Sequence, residues 1–106
     1  MTIPLDRHSL ASVAPTLAAI TEQTLFGTIW QRPELSKRER SLITVAALIA
    51  LGRDQQLPWH LDFARQHGLS NAELAEVMTH LAFYCGWPAA VSALGHLPQP
   101  GHQPQE

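Results

Sequence analysis

The sequence predicts an all-α fold, and three observations carry that prediction. No segment alternates apolar and polar residues with the period of two that a half-buried strand requires. Two Ser-x-x-Glu boxes, Ser36/Glu39 and Ser70/Glu73, each precede a long apolar run, as at a helix N-terminus. Gly52, Gly68 and Gly86 fall just past the ends of such runs, where a left-handed residue closes a helix. About five helices are expected, packed into one compact domain.

Residues 1–13 read as an N-terminal arm, 14–97 as the helical domain, and 98–106 as a flexible Pro/Gln/Gly-rich tail. Pro15 suits the first turn of a helix over 14–25, with Leu17, Ile20, Thr24 and Leu25 on one face. Residues 26–35 form an irregular linker with aromatic anchors. Ser36 then accepts from an orphan amide while Glu39 reaches back, opening a helix that runs to Leu51. Its body, from Leu42 to Leu51, is apolar nearly all round, so it is central to the core or buried between subunits. A third helix starts between Gln55 and Pro58 and stops at Gly68, with Leu57, Leu61 and Ala64 facing the core. The second box opens a fourth helix, ended by Gly86, whose apolar face is Leu74, Val77, Met78, Leu81, Ala82 and Cys85. Pro88 starts a short fifth helix over 89–94.

Composition excludes several classes of function. At 106 residues the chain is one domain. Hydrophobic residues make up 45% and charged ones 15%, against roughly 25% charged in ordinary soluble domains. Disorder needs the opposite balance. The net charge of −2 and a pI of about 6.3 supply no basic stripe for nucleic acid. Full protonation of the six histidines would carry that charge to +4.

Asp6, Arg7 and His8 occupy the place where a signal peptide needs an apolar region. Residues 77–97 are largely apolar, yet they hold His80 and the Gly86-Trp87-Pro88 break and lack flanking Lys or Arg. A cytoplasmic protein with no membrane partner is expected. So little charge on so small a chain also predicts a buried interface between copies. The single cysteine, Cys85, excludes an internal disulfide framework and an all-cysteine zinc site.

No phosphate-cradling glycine loop, Ser-His-Asp order or HExxH pair is present. Uncharged polar and aromatic groups near helix ends remain. Glu73, Glu76, His80 and Tyr84 recur as one stripe beside the core face of the fourth helix. Glu76 and His80 have metal-ligand spacing but no third partner, so no metal is expected. For His80 and Tyr84 the plain alternative is a half-buried face or a subunit contact.

His60 sits beside Trp59 near the start of the third helix, where the helix dipole disfavours imidazolium. A neutral imidazole there could donate an N–H to an oxygen developing negative charge. The competing role is a local hydrogen bond. Cys85 reads as a buried thiol rather than a nucleophile. Trp30, Trp59 and Trp87 read as packing anchors. His8, His67, His96 and His102 read as surface, helix-end or tail residues.

Together these residues resemble a known family. Leu25-Phe26-Gly27-Thr28-Ile29-Trp30-Gln31-Arg32-Pro33-Glu34-Leu35-Ser36 is followed by Arg38-Glu39-Arg40-Ser41-Leu42-Ile43-Thr44 and Ala50-Leu51-Gly52-Arg53. Leu57, His60 and Gly68 come next, and then His80-Leu81-Ala82-Phe83-Tyr84-Cys85-Gly86-Trp87-Pro88-Ala89-Ala90. This order and spacing is similar to the carboxymuconolactone decarboxylase family over residues 14–97. The resemblance implies the helical fold of the alkylhydroperoxidase D-like (AhpD-like) superfamily, whose small subunits form homotrimers or homohexamers. In its redox branch a Glu, a Cys-x-x-Cys pair and a His form a peroxidase relay. Those positions fall here at Ser41, Arg53, Gln56 and His60, and only the histidine is kept.

The decarboxylase branch is therefore the one implied, acting on a small carboxylated lactone. Loss of CO2 would push electrons into the lactone carbonyl, so the substrate is its own electron sink and no cofactor is needed. On this resemblance His60 is the oxyanion donor and proton shuttle. Arg53, or in its place Arg40, would be the carboxylate clamp. Trp59, Tyr84 and Trp87 are pocket walls with His80 beside them. Two alternatives stand against this reading: a peroxidase-like oxidoreductase of the same superfamily, and a non-catalytic oligomeric small-molecule-binding protein. A family member usually continues into a longer C-terminal helix, whereas Pro98 and Pro100 stop one here.

Overall fold

A computed structural model describes residues 6–100, all of whose regular elements are helical. The chain divides into two units, Met1–Arg40 and Ser41–Glu106.

The first unit opens with α1 (Arg7–Val13), closed at its N-terminus by a capping box in which Ser9 N–H donates to Asp6 Oδ1 at 2.7 Å. This helix lies in the stretch read as an arm. Its box carries Ser rather than Glu at the third helical position, a weaker sequence signal. Pro15 does start a helix, α2 (Pro15–Ile20), but the expected continuation to residue 25 does not form. The chain widens instead into a π-helical turn over Thr21–Phe26. Widening to i→i+5 bonding breaks the 3.6-residue period. The expected apolar face is accordingly not a core face: Leu17, Ile20 and Leu25 are exposed, and Ala18 is the buried residue of α2. The linker then tightens into a 3-10 turn over Ile29–Gln31. There Trp30 is buried and its ring lies 5.9 Å from that of Phe26.

The helix α3 (Lys37–Leu51) begins at the predicted box, with Glu39 N–H donating to Ser36 Oγ at 3.0 Å and Ser36 N–H donating to Glu39 Oε1 at 2.8 Å. It ends at Gly52, whose φ of +69° is one that a β-carbon resists.

Within the second unit, α3 is followed by α4 (Leu57–Gln66), α5 (Asn71–Cys85) and α6 (Trp87–Leu94). Four helices expected from Ser36 onward are thus present. α1 raises the α-helices among the described residues to six, against about five expected.

The core of this unit is built from Val45 and Ile49 of α3, Leu57, Leu61 and Ala64 of α4, Leu74 and Met78 of α5, and Ala93 of α6, with Leu69 and Leu97. The predicted core face of α4 is fully buried. On α5, Val77 and Leu81 pack against the cluster only partly buried. The near-uniform apolarity of α3 is explained in part, because Val45 and Ile49 are buried while Ile43 and Leu51 are exposed. No helix among the described residues is long and apolar enough to cross a membrane. The tail read over 98–106 lies, beyond Pro100, outside the described residues.

Candidate functional site

The candidate residues of the second unit fall into two groups. The first is built on α4 and the turn before it. Arg53 N–H donates to Leu48 O at 2.9 Å, and the Arg53 carbonyl accepts from Gln56 N–H at 3.2 Å and Leu57 N–H at 3.1 Å. These bonds tie the turn to the end of α3 and the start of α4. The Arg53 side chain is exposed and has no partner among the described residues. Arg40, the last residue of the first unit, is half-buried and donates from its guanidinium to Arg32 O at 3.1 Å.

His60 is half-buried, and burial alone lowers its pKa below the ordinary 6.5, favouring the neutral ring. The Trp59 indole and the His60 imidazole meet T-shaped, with centroids 4.8 Å apart and planes at 82°. Trp59 stacks in turn on Phe63 at 4.8 Å and 28°, and remains 44% exposed, so it is no core anchor. Phe63 meets the His67 ring at 4.3 Å and 74°, and Ser41 Oγ lies 2.9 Å from His67 Nδ1.

Ser41 and His67 form a pair that the sequence reading missed, having placed His67 among surface and helix-end residues. Twenty-six positions separate them, so no local pattern could have joined them. The available signal was a serine in register with Val45 and Ile49 on a core face. Buried polar groups need a partner.

The second group lies at the end of α5 and the start of α6. His80 and Tyr84 stack with centroids 5.0 Å apart, as the i, i+4 spacing predicts. Tyr84 is 77% exposed, Trp87 70% and Phe83 86%. Neither Tyr84 nor Trp87 is a half-buried wall within one chain. No ring contact or hydrogen bond among the described residues joins this group to His60 or Arg53. Cys85 is a free thiol, half-buried. No cluster of three or more His, Cys, Asp or Glu that could hold a metal occurs among the described residues. His96 Nε2 lies 3.7 Å from Asp54 Oδ1.

Over its described residues the chain is thus an all-helical protein, with a half-buried histidine against an indole and an exposed arginine in the turn before that helix. Comparison with known proteins gives that class a family. The profile of the carboxymuconolactone decarboxylase family matches residues 15–97, and the chain belongs to that family. It is 41% identical over 69 residues to a 4-carboxymuconolactone decarboxylase of Acinetobacter baylyi, covering 65% of this chain and 52% of the relative. It is 34% identical over 88 residues to a nitrosuccinic acid decarboxylase of Metarhizium robertsii, covering 83% of this chain and 61% of the relative. An uncharacterized protein of Paracoccus denitrificans is 28% identical over 91 residues. The chain thus spans between half and two thirds of the length of the two decarboxylases it matches.

Proposed function

We propose that this protein is a cofactor-independent carboxy-lyase acting on a small carboxylated lactone, with His60 as the group that stabilises and protonates the dienolate. The observation that carries the reading is the environment of His60, a half-buried imidazole whose neutral form is favoured by desolvation and whose ring meets that of Trp59. The names of the two relatives, a 4-carboxymuconolactone decarboxylase and a nitrosuccinic acid decarboxylase, support decarboxylation of a small acid.

The carbon–carboxylate bond breaks, CO2 leaves, and the electron pair moves through the conjugated system onto the lactone carbonyl oxygen. A neutral imidazole N–H meets the developing oxyanion better than water does, because its direction is fixed and its surroundings are of low dielectric. One ring nitrogen then gives its proton to carbon as the other takes one from solvent, which closes the proton balance. Arg53 holds a substrate carboxylate and Trp59 forms the apolar wall behind it. In this scheme the exposed His80, Tyr84, Phe83 and Trp87 are covered by a second copy in a homotrimer or homohexamer, where Tyr84 and Trp87 would serve as walls.

The test is ultraviolet-monitored turnover of γ-carboxymuconolactone by the wild type and His60→Gln. Loss of the acid–base group is expected to lower kcat by about 10²–10⁴-fold with the helical circular dichroism unchanged. Unchanged turnover removes His60 from the mechanism. A wild type inert towards the lactone but able to bind it points to the non-catalytic alternative, and consumption of hydroperoxides to the peroxidase-like one.

A further inference from the structure

We propose that Ser41 and His67 are positioning residues for His60, acting on it through a row of rings along one face of α4. The catalytic consequence rests on the role proposed above for His60. The coupling itself rests on geometry alone.

Ser41 is 2% exposed and occupies, with Val45 and Ile49, an i, i+4, i+8 set facing the core. A hydroxyl at such a place costs desolvation that an apolar side chain would avoid, and only a partner offsets it. The partner is His67 Nδ1 at 2.9 Å. That bond fixes the imidazole of the residue that closes α4, next to Gly68 at φ +97°.

From His67 the contacts run back along the helix: to Phe63 at 4.3 Å, to Trp59 at 4.8 Å, and to His60 at 4.8 Å. Residues 59, 63 and 67 stand four apart, so their rings lie one above another on one face. The opposite face, Leu57, Leu61 and Ala64, is locked in the core. The helix therefore cannot roll, and side-chain rotation is the freedom left to the row. A Phe63 ring held on both sides cannot turn without moving Trp59, and the Trp59 ring, 4.8 Å from the His60 ring, covers part of it from water.

Burial lowers the pKa of His60, and among the described residues no charged group contributes to that shift. On α4 the charges of Asp62 and Arg65 engage each other at 2.6 Å, and Asp54 of the preceding turn lies against His96. The titration midpoint of His60 thus reports the packing of the row.

The experiment reads that midpoint by nitrogen-15 NMR of the imidazoles, without substrate, beside the pH profile of kcat. Ser41→Ala and His67→Gln are expected to raise the midpoint towards 6.5. They are expected to lower kcat by roughly 3- to 30-fold, the usual reach of coupling through packed side chains, with KM little changed. Ser41→Thr keeps a hydroxyl and should keep the midpoint. Val45→Ala removes core contacts without touching the row, so it should lower Tm and leave the midpoint in place. In a Phe63→Leu background, Ser41→Ala should add no further shift.

A wild-type midpoint in both Ser41→Ala and His67→Gln overturns the proposal, as does an equal shift in Val45→Ala. A shifted midpoint in a protein that turns over no lactone leaves the coupling standing and overturns the decarboxylase reading. The two failures are therefore distinguishable.

Discussion

His60 links protonation to folding as well as to the proposed chemistry. Its folded-state pKa lies below 6.5, while the unfolded chain titrates near that value. Between the two the unfolded state binds more protons, so stability falls as pH falls through this window and levels off below the folded-state value. His60→Gln should flatten that part of the profile, as measured by urea midpoints at intervals from pH 7.5 down to 4.5. A slope identical to the wild type would show that other groups carry it. The residue scale is also where the sequence was least legible. His60 and Trp59 are neighbours in the chain, and their pairing could be read there. Ser41 and His67 meet only because α3 and α4 share a core, and no spacing rule spans 26 positions.

At the scale of elements, reading succeeded where local chemistry decides the structure. The boxes at Ser36/Glu39 and Ser70/Glu73 satisfy helix N-termini with groups three residues apart, and Gly52, Gly68 and Gly86 all adopt positive φ. It failed over residues 14–25. The π-helical turn at Thr21–Phe26 replaces an expected α-helical continuation, and a few residues of sequence hold no cue to i→i+5 bonding. Ser70 gives this scale its prediction. Glu73 N–H donates to Ser70 Oγ at 3.0 Å, and Ser70 N–H donates to Glu73 Oε1 at 3.0 Å. Ser70→Ala should cost about 1 kcal/mol, a typical loss for a helix cap. In a domain of this size that is a fall in Tm of roughly 4–8 °C. An unchanged Tm would mean that the α5 N-terminus is held by packing alone.

For the whole molecule, the sparse charge of the sequence finds a structural counterpart. Phe83, Tyr84 and Trp87 are 86%, 77% and 70% exposed in a stretch that carries no charged side chain between Glu76 and Glu106. Large exposed apolar side chains close together along a chain mark a contact site more often than a solvated face. The proposed assembly should appear in sedimentation as three or six copies of an 11.7 kDa chain. Phe83→Glu with Trp87→Glu should shift that distribution towards the single chain, by placing charge in the contact. A wild type that sediments as one chain overturns the proposed assembly. Family and helical class could be read from the sequence at this scale because they follow from the order of motifs along it.

The clip around Arg65 has a practical consequence for handling the protein. Its Nη1 donates to Asp62 Oδ1 at 2.6 Å and its Nε donates to Asn71 Oδ1 at 2.7 Å, bracing the turn between α4 and α5. Arg65 is also the last lysine or arginine in the sequence. Trypsin therefore meets no cleavable bond beyond this braced helix end, whereas Arg53 stands exposed in a turn. Nicking at Arg53 would release residues 54–106 in one piece. That fragment retains α4 to α6, with the ring row and the exposed Phe83, Tyr84 and Trp87 on one peptide.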